Sequence, residues 1–178
     1  MTLDGFRGAE TELVPGTLRG YRAWALMPGR LLSLSNSYIW KPGANAACCL
    51  LAGMPAFRPC LSSPGPKCSC GLYGHYSPTE SLWYMYNDWT WQPGPYPPSS
   101  ILNVIHPKVW GSIAVHGRVI LGEKGLRAEY ATVEAIALEG SPPSRVPYEM
   151  PLFANVGELI EAFPPQDMSH LLATPVGR

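Results

Sequence analysis

The sequence predicts a β-rich α+β fold: a small twisted sheet or partly open barrel, held by a cysteine knuckle and accompanied by two short helices. Three observations point there. The 178 residues include 20 prolines and 18 glycines, which leaves little room for long helices. Aromatic and β-branched runs are separated by turn residues. All five cysteines, Cys48, Cys49, Cys60, Cys68 and Cys70, fall within residues 48–70. With 46% hydrophobic residues the chain can bury a core as one domain over 1–178. Its parts are a β-rich body over 13–138 containing the knuckle (48–76), an aromatic and proline-rich insertion (83–100), a helix (155–163) and a tail (164–178).

The elements follow in chain order. In "GTLRGYRAWAL" (16–26), Leu18, Tyr21 and Trp24 alternate imperfectly with polar positions, and the run is aromatic-rich enough to be a strand. "GRLLSLSNSYIW" (29–40) predicts a hairpin, with Leu32 and Leu34 before a Ser/Asn turn and Tyr38 and Trp40 after it; "KPG" (41–43) ends it. The cysteine region is read as loop and knuckle. "SPTESLWYMY" then opens like a helix, with Ser77 as N-cap, Pro78 in the first turn and Glu80 completing a capping box. "VWGSIAVHGRVIL" (109–121) and "LRAEYATVEAIAL" (126–138), joined by "GEKG", predict a second hairpin; Arg127 and Glu129, two apart, are expected on one face as a paired edge, the alternative being a solvated face. "NVGELIEAF" (155–163) places Val156, Leu159, Ile160 and Phe163 on one helical stripe behind an Asn155 cap and Glu158, so this second helix should dock on the sheet. The tail shows no pattern.

The formal net charge of zero conceals an asymmetry. Residues 13–79 hold six bases (Arg19, Arg22, Arg30, Lys41, Arg58, Lys67) and no acid, whereas the last 99 residues carry six bases and ten acids. A basic half is a footprint for anionic partners, nucleic acid among them, but these bases are scattered. The N-terminal residues show no basic segment followed by an apolar run, and no stretch is long and apolar enough to span a bilayer, so the expectation is a cytoplasmic protein without membrane partners.

Clustered cysteines in a reducing compartment point to a metal more than to a disulfide framework, and the odd count argues against complete pairing. Zinc requires about four thiolate or imidazole ligands in a tetrahedron. Cys68 and Cys70 form one arm and Cys60 with one of Cys48 and Cys49 the other, while His75 could replace one thiol. Neighbours in extended chain point oppositely, so only one of the vicinal pair should face the ion. The arm is C-x-C rather than the usual C-x₂₋₄-C, which works if the chain is extended there, and Gly71 permits a tight knuckle with amides near the sulfurs. Buried free thiols and disulfides remain alternatives. His75, between Tyr73 and Tyr76, equally suits a packed surface position. Four thiolates and Zn²⁺ sum to −2, which the acid-free stretch could offset.

"GYRAW", "WKPGANAAC", "CSCGLYGH" and "GEKGLRAEYA" together resemble a family of small uncharacterised proteins of actinobacteria and their phages, with motifs G-[FY]-R-x-W, W-x-P-G-x-N-x-A-x-C, C-x-C-G-[IL]-Y-A and G-[FY]-R-A-E in this order over residues 16–138. The resemblance implies Cys49 rather than Cys48 as the first cysteine and matches Cys68 and Cys70 to the C-x-C-G. Gly74 departs from the family's Ala, and the 83–100 segment is peculiar to this chain. No activity is implied.

Enzyme signatures are missing. Phosphate-binding and dinucleotide glycine loops, H-E-x-x-H and G-x-S-x-G do not occur, and no catalytic residue is assigned. The sequence reading is therefore a non-catalytic, zinc-stabilised protein-interaction module whose contact face is Trp83, Tyr84, Tyr86, Trp89 and Trp91, residue types enriched at interfaces. The alternative is a nucleic-acid-associated regulator using the basic 13–79 region.

Overall fold

The computed structural model describes residues 10–11, 18–34, 38–49, 62–65, 68–79, 81, 108–140, 146 and 149–168. In these the chain forms β1 (Glu10–Thr11), β2 (Leu18–Met27), β3 (Arg30–Ser33), β4 (Ile39–Trp40), β5 (Ala44–Ala46), β6 (Leu72–His75), β7 (Lys108–Leu121), β8 (Gly125–Ala137), β9 (Leu152–Phe153) and α1 (Val156–Ala162). The strands make one sheet, ordered β1-β7-β8-β6-β2-β3-β4, in which β5 and β9 also pair with β8. Every pairing is antiparallel except β8–β9.

Its centre is the β7–β8 hairpin, which turns through Gly122 to Gly125, where the Gly122 amide donates to the Gly125 carbonyl at 2.8 Å. Gly117 (φ +78°) lies within a register shift between His116 and Val119, a bulge in which positive φ favours glycine. β2 runs along β7 from Leu18↔Val115 to Ala25↔Lys108. It returns through Pro28-Gly29 (Gly29 φ +68°) into β3, a tight turn with proline and glycine in the positions a type II turn favours. Along β8's other edge β6, β5 and β9 follow one another at residues 125–128, 130–132 and 136–137. One rung, Tyr21↔His75, brings β6 back onto β2, so the pairings β2–β7–β8–β6–β2 return to their start. Glycines allow this approach: a Cβ on Gly20 would stand 3.2 Å from the Gly74 Cα.

The imperfect alternation of β2 has a plain cause, since both faces are covered. On one face Trp24, Leu26, Trp40, Ile113, Leu126 and Ile136 belong to the larger core, with Trp24 and Trp40 edge to face at 5.4 Å. On the other, Ala23, Trp110, Ala135 and Ala137 receive Val156 and Leu159 of α1, with Ile160 and Phe163 packed beside them. The cap of α1 is as expected: Asn155 Oδ1 accepts from the Glu158 amide at 3.0 Å. Glu158 accepts in turn from the Ala154 amide and from Asn155 Nδ2, both at 3.0 Å.

Two expectations are corrected. Only one helix, not two, is present among the described residues. The Ser77 cap does open a helical turn at Pro78, Thr79 and Ser81, with its Oγ accepting from Thr79 N and its carbonyl accepting from Ser81 N, both at 3.2 Å, and the rest of the predicted first helix lies outside the described residues. Arg127 and Glu129 form neither a paired edge nor a solvated face. The Arg127 side chain is buried and turned toward the knuckle, while Glu129 Oε2 accepts from the Arg118 amide at 3.1 Å. Beyond α1, Met168 is buried, Tyr21 Oη donates to the Phe163 carbonyl at 2.5 Å, and Arg19 N donates to Gln166 Oε1 at 2.6 Å. No described helix is long and apolar enough to cross a membrane.

Candidate metal centre

Two segments distant in sequence meet beside β8. Residues 47–49 continue from β5, where the Ala47 amide donates to the Glu129 carbonyl at 2.7 Å, and residues 68–70 lead into β6. Asn45 anchors the first segment. It is buried, its Oδ1 accepts from Lys41 N at 2.7 Å, and its Nδ2 donates to the Lys41 and Gly43 carbonyls at 3.1 Å. Arg127 anchors the second. Its Nη1 donates to the carbonyl of Cys70 at 3.0 Å and also to that of Cys68, so one guanidinium holds both ends of the C-x-C.

These anchors bring Cys49, Cys68 and Cys70 together, their sulfurs all within 4.8 Å of one another. The Cys49 and Cys68 sulfurs are 3.7 Å apart. That is far beyond the roughly 2.05 Å of a disulfide. It matches the edge of a tetrahedron with metal–sulfur bonds of about 2.3 Å, which is about 3.8 Å. None of the four described cysteines is in a disulfide. The Gly65 amide donates to Cys70 Sγ at 3.4 Å, the contact that orients and stabilises a ligating thiolate. Sequence reasoning placed such amides after Gly71; the structure supplies one from the preceding turn. Gly71 does take positive φ (+133°), and a Cβ there would stand 3.0 Å from the Arg127 Cβ.

The three neighbouring thiols could hold a metal ion. Burial, with contributions from the neighbouring Cys70 and Cys49 sulfurs, pushes the Cys68 thiol above its ordinary range. Adjacent sulfurs resist ionising together, and a bound cation reverses that. Arg22 lines the adjoining cleft, donating to the Tyr73 carbonyl and Ser33 Oγ, both at 2.8 Å, and lying 5.1 Å from the Trp40 ring. Desolvation pushes its guanidinium down to about 10, so it stays charged at neutral pH.

The remaining predicted residues fall as follows. Cys48 is exposed and outside the cluster. His75 is also outside it, and it is a buried residue of β6 rather than a packed surface one, because β6 is flanked by β2 and β8. His116 stacks on Tyr130, with ring centroids 5.2 Å apart. Cys60, and the aromatic residues Trp83, Tyr84, Tyr86, Trp89 and Trp91, lie outside the described residues. Sequence reasoning missed Arg127 and Asn45 as anchors. Arg127 was masked by its acidic neighbour, and Asn45 carried only its place in the "WKPGANAAC" stretch.

Burial, reinforced by the Arg22 charge, lowers His75 from an ordinary 6.5 to about 4. The unfolded chain therefore takes up a proton near 6.5 that the folded chain refuses until about 4. The His75 contribution is complete above about 6.5 and erodes as pH falls toward 4, by up to about 3 kcal/mol. Denaturant unfolding from pH 7 to 4 should show this slope, and His75→Gln should remove that part of it; an equal slope in both proteins refutes the assignment.

Compared with known proteins, the chain matches no family model, no curated protein and no solved structure.

Proposed function

We propose that this chain is a non-catalytic, zinc-stabilised protein-interaction module. Zinc is held by Cys49, Cys68 and Cys70 with Cys60 as the fourth ligand, and the ion is structural. The observation that carries this reading is the 3.7 Å separation of the Cys49 and Cys68 sulfurs, tetrahedral in size and reached from two separately anchored segments. Three thiols of this softness suit Zn²⁺ over hard cations. The likeness to the actinobacterial and phage proteins belongs to the same proposal, since its cysteine motifs are the ones that converge.

The contact face is the aromatic segment over 83–100, with Trp83, Tyr84, Tyr86, Trp89 and Trp91 supplying flat apolar area with polar edges, and the protein works in the cytoplasm. The nucleic-acid alternative loses support because two of the six bases in 13–79 are engaged internally: Arg19 Nε lies 2.9 Å from Glu134 Oε2, and Arg22 serves Tyr73 and Ser33. Capture of a protein partner should survive a rise in salt and be lost in Trp89→Ala/Trp91→Ala. Binding instead to mixed-sequence DNA or RNA that falls steeply with salt contradicts the proposal.

A further inference from the structure

Five cysteines for a four-ligand site leave one thiol over, and with Cys60 as the fourth ligand of the zinc reading above that thiol is Cys48. Cys49 joins the sulfur cluster, while its neighbour Cys48 is exposed. Cys48 is not isolated from the centre, however. It lines one open cleft together with Cys70, which is buried and belongs to the cluster, and with Ser69, Arg22 and Tyr38. An accessible thiol and a ligating thiol thus share a single solvent-connected space. Accessible thiols poised beside a second cysteine are those that peroxides oxidise first and that a neighbour then resolves.

We infer that Cys48 is a peroxide-reactive thiol that couples oxidation to release of the metal through a Cys48–Cys70 disulfide. This rests on the zinc reading above. In the first step the Cys48 thiolate sulfur attacks hydrogen peroxide; an S–O bond forms, the O–O bond breaks, hydroxide leaves, and the sulfur is oxidised by two electrons to the sulfenic acid. In the second step the Cys70 sulfur attacks Cys48 Sγ; the S–S bond forms, the S–O bond breaks, and hydroxide departs to be protonated to water. Cys70 thereby gives up its bond to the metal, and the ion leaves a site reduced by one ligand. Overall two thiols and one peroxide become one disulfide and two waters. Cys49 is a poor resolving partner for Cys48, because adjacent Cα atoms lie about 3.8 Å apart, inside the roughly 4.4–6.8 Å that disulfides span.

The test uses the full-length reduced protein, with metal content measured first, then hydrogen peroxide added while a chromogenic chelator reports zinc and peptide mapping reports disulfides. The expected result is a Cys48–Cys70 disulfide forming together with release of one zinc per chain. In Cys48→Ser, with Cys48→Ala as a second variant, zinc should be retained before oxidation and released at least tenfold more slowly. Release at the wild-type rate in both variants, or a map dominated by Cys49–Cys68, overturns the inference. Protein that carries no zinc at the outset but still forms Cys48–Cys70 refutes the metal reading while sustaining the thiol chemistry.

Discussion

Chelating zinc from the reduced protein should lower its melting temperature by roughly 10–20 °C, the shift that a loss of about 5 kcal/mol produces in a chain of this size. Structural zinc contributes about 10–16 kcal/mol in peptides that have no other core. Here the effect should be smaller, because Trp24, Trp40 and the β7–β8 residues form a core that needs no metal. What a bound ion would hold is local and specific. Cys49 and Cys68 are 19 residues apart, one at the end of the β5 extension and the other at the entrance to β6, and both strands pair with the same edge of β8. Without the cross-link that edge loses two short strands that pack little surface of their own. Calorimetry or circular dichroism with and without chelator reads the shift, and an unchanged transition contradicts the account.

Arg127→Met should destabilise the protein by about 3–5 kcal/mol and speed zinc loss at least tenfold. The guanidinium is buried and donates to the carbonyls of both Cys68 and Cys70, charge-assisted bonds worth about 1.5–3 kcal/mol each. Methionine fills most of the volume but leaves those carbonyls without donors, so the backbone carrying two ligands loosens. Arg127→Lys should recover little, since an ammonium on a flexible stem does not reproduce the fork of a guanidinium. Chemical denaturation gives the stability, and zinc transfer to a competing chelator gives the dissociation rate. A methionine variant as stable and as metal-retentive as the parent would refute the role assigned to Arg127.

Parts of this architecture are legible in the sequence because they depend on local pattern. The β7–β8 hairpin follows from two β-branched runs around "GEKG", and α1 follows from its Asn155 cap and the Val156/Leu159 stripe. The strand at 18–27 was legible too, and its blurred alternation reflects burial on both faces. The short strands were not. β5, β6 and β9 have three, four and two residues, and they exist because β8 offers an edge to pair with rather than because of any preference of their own. The same limit applies at the candidate site. Clustering of cysteines was visible, and the opposed directions of Cys48 and Cys49 follow from extended chain. That Arg127, some 57 residues beyond Cys70, turns inward to hold the C-x-C depends on the Tyr73↔Arg127 register, which no local pattern encodes. His75 likewise reads as surface beside two tyrosines and is buried only because β6 sits between β2 and β8.

The central claim is that a metal ion joins Cys49, Cys68 and Cys70 with Cys60, and elemental analysis of the purified, fully reduced protein tests it most directly. The account predicts one zinc per chain, lost in Cys68→Ser and Cys70→Ser and kept in Cys48→Ser. Reduced protein with no stoichiometric metal, or zinc retained in full by the Cys68→Ser and Cys70→Ser variants, would contradict it.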